Sequence, residues 1–109
     1  MKYKKYLMDI LTVINEIEML LEGTEKLEDY KNNLILKRAI ERCLEIIGEA
    51  MNNLLNINPS INISDTRKII SMRNRIIHGY DKVDDDLLWK VVKGNIPTLK
   101  EEVTKLLEE

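Results

Sequence analysis

Asn32–Asn56, NNLILKRAIERCLEIIGEAMNNLLN, is the stretch on which the fold turns. Ile35, Leu36, Ala39, Ile40, Cys43, Leu44, Ile46, Ile47, Ala50, Met51, Leu54 and Leu55 recur through it at steps of three and four, the period of a helix with one broad apolar face. A face that wide has room for more than one packing partner. Asn58-Pro59-Ser60 ends it, because proline lacks an amide donor and disfavours helical geometry in the residue before it.

Working outward, Tyr6, Ile10, Val13, Ile14, Ile17, Leu20 and Leu21 give residues 2 to 22 the same period, and Gly23 closes that helix by tolerating a left-handed backbone. Thr24 is placed to cap a short helical turn through Tyr30. On the other side, Ser64 or Asp65 is the expected N-cap of a helix that carries Ile69, Ile70, Met72, Ile76 and Ile77 inward and stops at Gly79. Asp84 reads as the cap of a last helix to about Leu107, with Asp85 and Asp86 in its first turn, where carboxylates complement the helix dipole. Pro97 lies inside that span, so a kink is expected near Gly94 to Pro97. The sum is an all-α, antiparallel bundle of four main helices with a short fifth, in one domain spanning residues 1–109.

Composition narrows the function. Hydrophobic residues make up 44% of the 109 and charged residues 33%, enough for a core and a wet surface. A net charge of -2 argues against a chain that coats nucleic acid generally, since such affinity comes from neutralising phosphates. Acidic and amide residues interrupt every apolar run, so no signal peptide or membrane span is expected and the chain reads as cytoplasmic. Cys43, the single cysteine, rules out an internal disulfide and reads as a buried small hydrophobe.

One segment departs from the acidic balance. Between residues 64 and 80 stand Arg67, Lys68, Arg73 and Arg75 against one acid, Asp65, and the sole histidine, His78, closes the segment ahead of Tyr80. Cutting RNA without metal requires a base for the 2'-hydroxyl, an acid for the leaving 5'-oxygen and a cation for the phosphorane. Imidazole changes protonation near neutrality, and guanidinium binds phosphate oxygens through a planar fork. One histidine per chain is too few for both proton transfers, a difficulty that a two-fold dimer would resolve.

Arg73-x4-His78-x-Tyr80 is similar to the Arg-x4-6-His signature of HEPN ribonucleases and closely resembles its HepT-like form. Glu45-Ile46-Ile47-Gly48-Glu49-Ala50, Gly79 to Asp84, and Leu88-Trp89 leading to Ile96-Pro97-Thr98-Leu99 resemble the same family in order and spacing. The resemblance implies a HEPN-like helical bundle that cleaves RNA as a homodimer, with no cofactor and no metal, through Arg73 and His78. Asn74 and Arg75 are then expected to position phosphate. It also implies an MNT-type minimal nucleotidyltransferase antitoxin as partner, with Tyr80 the acceptor of AMP.

Other readings stand beside this one. The chain would alternatively be a non-catalytic helical module that binds nucleotide or regulates a nucleotidyltransferase. Asp81, Asp84, Asp85 and Asp86 with His78 resemble a cation site less than a solvated capping turn. Trp89 reads as a core or interface anchor. Glu45 and Glu49, beside Gly48, read first as solvent-facing or dimer-pairing residues on a closely packed helix; that Glu49 orients Arg73 or His78 comes second. Local geometry also pulls against the motif. Five residues of ideal helix leave Arg73 and His78 roughly 140° apart, whereas Arg75 and His78 are neighbours.

Overall fold

Helix α3 (Leu34–Ile57) is the spine of the structure, a computed structural model that describes residues 2–79 and 83–109. Its periodic face buries Leu36, Ile40, Cys43, Leu44, Ile47, Ala50, Met51 and Leu54, and each aliphatic side chain so enclosed stabilises the fold by roughly 1.5–3 kcal/mol. The width of the face is explained by its neighbours: α1 (Lys4–Leu20) and α4 (Thr66–Gly79) both pack on it. Asn33 starts the helix by accepting a hydrogen bond from the Leu36 amide at 3.0 Å. Ile35, counted in the face by its period, lies in the first turn and is 83% exposed.

Gly23 follows α1 with a φ of +82°, as its place in the sequence requires. The short helix after it, α2 (Leu27–Lys31), begins later than expected and Lys26, not Thr24, occupies its N-cap position, without a side-chain cap. What fixes α2 is Tyr30. Its ring is buried and lies 5.4 Å from that of Trp89, which is itself half-buried against the core. Burial, reinforced by the charges of Asp85 and Glu41, holds the Tyr30 phenol well above its ordinary pKa and therefore neutral.

The loop into α4 departs from simple capping. Asp65 has φ +58°, a left-handed conformation that aspartate tolerates better than most residues. Its backbone carbonyl accepts the Ile69 amide, yet its carboxylate accepts from Asn95 Nδ2 at 2.8 Å. Ser64 likewise spends its amide and hydroxyl on the Glu102 carboxylate, at 2.9 and 3.1 Å. Both candidate caps thus tie the start of α4 to the last helices.

Those helices are α5 (Asp85–Lys90), one π-helical turn over Val91–Asn95, and α6 (Ile96–Glu108). Asp84 caps α5 by accepting from the Asp86 and Leu87 amides. The expected kink is this widened turn, and it starts at Val91, ahead of Gly94. Pro97 sits in the first turn of α6 and has no N–H to offer the carbonyl one turn back; the π turn makes room for its ring. The apolar face continues across the irregularity, with Leu88, Val91, Val92, Ile96, Leu99 and Val103 all buried. Among the described residues there is no strand, and no helix is long and apolar enough to cross a membrane.

Candidate active site

Helix α4 carries the basic segment, and its three inward residues decide where the rest point. Ile69, Met72 and Ile76 are buried, which turns Asn74, Arg75 and His78 to solvent and sets Arg73 on the flank that faces α3. Tyr80 lies outside the described residues.

Arg73 is held close against α3. A Cβ on Gly48 would overlap the Arg73 Cβ, so the absence of a side chain at residue 48 is what lets the arginine stem cross the helix there. Beyond that crossing, Arg73 Nη2 meets Glu49 Oε2 at 2.6 Å, and Nη1 donates to Asn74 Oδ1 at 3.1 Å. Nε is buried without a hydrogen-bond partner among the described residues, an arrangement that ordinarily costs about 1–3 kcal/mol. The guanidinium opens into a groove of about 530 Å³ between α1, α3 and α4, which also holds Lys5, Asp9, Arg42 and Glu45.

His78 lines a second groove of about 540 Å³, between α4 and α5, together with Asn74, Arg75, Asp84 and Leu87. The imidazole is exposed there. The helical geometry therefore acts as the residue spacing suggested: Arg75 shares the histidine's groove, and Arg73 occupies the other flank. Asn74 links the two flanks, since it accepts from Arg73 and lines the groove of His78. With its oxygen engaged by Arg73, its amide nitrogen is left as a donor.

The aspartates that follow His78 are occupied in holding α5. Asp84 caps it, Asp85 pairs with Lys37 at 2.9 Å and Asp86 with Lys31 at 2.8 Å; Asp81 lies outside the described residues. Among the described residues no three His, Cys, Asp or Glu side chains converge as a metal site would require. Glu49 is exposed, as its first reading expected, and it also makes the contact with Arg73 that its second reading described. Glu45 pairs with its helical neighbour Arg42 at 3.0 Å, as a surface residue would, whereas Glu49 reaches the neighbouring helix. The glycine before it was the available signal, because a residue without a side chain in mid-helix marks the closest approach of another element.

Cationic side chains and one imidazole are thus displayed along α4 in open grooves. The family model described as "Ribonuclease HepT-like" matches residues 10–106. The chain belongs to the HepT-like ribonuclease family. Curated relatives match it over nearly its whole length. One, from Thermococcus cleftensis and named a probable ribonuclease HepT, is 40% identical over 110 residues, covering 95% of this chain and 94% of the relative. Another, from Methanocaldococcus jannaschii and named provisionally as an RNase, is 33% identical over 107 residues, covering 97% and 88%. A third relative, from Caldanaerobacter subterraneus and also named provisionally as an RNase, is 32% identical over 100 residues, covering 89% of each chain. No solved structure matches.

Proposed function

We propose that this chain is the toxin of a toxin–antitoxin pair, an endoribonuclease that cleaves RNA as a homodimer without metal. The observation that carries the reading is the exposed imidazole of His78 in an open groove with Arg75 and Asn74, while Arg73 reaches the same asparagine from the other flank. His78 is the acid/base group. It takes the proton of the 2'-hydroxyl as that oxygen attacks phosphorus; the bond from phosphorus to the 5'-oxygen breaks, and the imidazolium of the other subunit protonates the departing oxygen. The products are a 2',3'-cyclic phosphate and a 5'-hydroxyl.

Arg73 supplies the charge that stabilises the phosphorane, and Arg75 and Asn74 hold the backbone in register. The two-fold dimer answers two needs at once. It provides a second histidine, and it gives Arg73 of one copy a route to the histidine of the other, which the flanks of a single α4 keep apart. Silencing fits the same chemistry: an MNT-type nucleotidyltransferase antitoxin would join the AMP of ATP to the Tyr80 hydroxyl and release pyrophosphate. The added phosphate and nucleoside would repel and block RNA two residues from His78.

The test is cleavage of total RNA by purified protein in EDTA. Wild type is expected to cut and to leave cyclic phosphate ends, and His78→Ala to lose at least about 10²-fold in rate with helicity unchanged. Equal cutting by that variant would end the enzyme reading, and loss of wild-type cutting in EDTA would end metal independence. Arg73→Ala and Arg75→Ala, compared side by side, assign the cationic role; loss confined to Arg75→Ala would move it to the residue that shares the histidine's groove.

A further inference from the structure

We propose that Glu49 is a positioning residue for Arg73, and through it for Asn74. The inference rests on the reading of Arg73 given above and adds a residue from a different helix. Among the described residues three contacts fix the arginine: Gly48 beneath its stem, Glu49 at Nη2 and Asn74 at Nη1. Only the glutamate contact is both charged and aimed at the guanidinium from outside α4. Without it, an unbranched side chain with several rotatable bonds is held at its tip by one exposed neighbouring amide.

The pair does little for the fold itself. Side-chain exposures of 28% for Arg73 and 52% for Glu49 put it among the solvent-screened ion pairs, whose contribution to stability is small. What the contact does restrict is direction. It draws the guanidinium along the α3 flank, orients its remaining N–H groups, and leaves the Nη1 that holds the oxygen of Asn74 in place. Because that oxygen is taken, the asparagine presents nitrogen to the groove of His78. One carboxylate on α3 thus sets the donor pattern of two residues on α4.

The experiment has two readouts. In steady-state cleavage of a defined RNA, Glu49→Ala is expected to lower kcat by on the order of tenfold to a hundredfold, since small misplacements of a catalytic group carry costs of that size. KM should change little. Glu49→Gln, which keeps an acceptor at the same reach, is expected to recover most of that loss. Independently of activity, the Arg73 Nε–H resonance in a nitrogen-15 spectrum should be sharp and slow to exchange in the wild type, and broadened or exchanged away in Glu49→Ala.

An unchanged kcat in Glu49→Ala, alongside an inactive Arg73→Ala, would overturn the positioning role and leave the proposed chemistry standing. A fully active Arg73→Ala would instead overturn the role given to Arg73. In that case a resonance that persists in Glu49→Ala would show that the glutamate does not hold the side chain either. The melting temperature of Glu49→Ala is expected to stay within about 3 °C of wild type, so that loss of activity reads as loss of position.

Discussion

Glu41 carries a carboxylate into the edge of the core. It is buried beside Tyr30 and Asp85, and burial raises its pKa more than the bonds from Arg38 lower it. The folded chain therefore holds this proton more tightly than the unfolded chain does. Stability linked to it is present at pH values below the ordinary carboxylate range and is lost as pH rises through the folded value, so at neutral pH the ionised group is a cost. Glu41→Gln is expected to stabilise the protein at pH 7, and the gain should vanish below the ordinary carboxylate range, at about pH 3, where both side chains are neutral. Urea midpoints of the two proteins at both values check this. A variant less stable at pH 7 would mean that the Arg38 pair outweighs burial.

At the level of elements, the approach of α3 and α4 depends on one missing side chain. Gly48→Ala adds a methyl where the Arg73 Cβ already stands, and neither atom is at the end of a flexible chain. The helices must separate, at a cost of about 1–3 kcal/mol for overpacking, against which the better helix propensity of alanine returns up to about 1 kcal/mol. A net loss of stability, measured by thermal melting with helix content retained, is the expected result; a more stable variant would show that the contact is slack.

The same elements show what could be read in advance. The period of residues 34 to 57 and the cap at Asp84 are local signals, and each sits where the pattern put it. Thr24, Ser64 and Asp65 look like caps, yet the first is bypassed and the other two bond to α6 and the turn before it. Their partners stand 38 and 30 residues away, and no local pattern announces a bond of that separation. For the site, the 140° divergence of Arg73 from His78 was legible from helical geometry alone. The partnership of Arg73 with Glu49 was not, because it depends on the register between two helices.

The whole molecule, as a single chain, displays its ionisable groups but does not gather them. Arg73 and His78 line different grooves, and a two-proton reaction has one imidazole to draw on. If the proposed chemistry is right, sedimentation should show a species of twice the 12.8 kDa chain mass. Mixing wild type with an excess of His78→Ala protein should then lower cleavage by more than dilution, since a mixed dimer holds one imidazole where the reaction uses two. A monomer that cuts at full rate would remove the shared site.

The bonds from Ser64 to Glu102 and from Asp65 to Asn95 bear on how the chain could be shortened. Trimming α6 back past Glu102 would release the loop that launches α4, and with it the direction in which the basic residues leave the surface. Damage at the carboxyl-terminal end would then reach the imidazole through the opposite end of its own helix, a route that proximity along the sequence does not suggest.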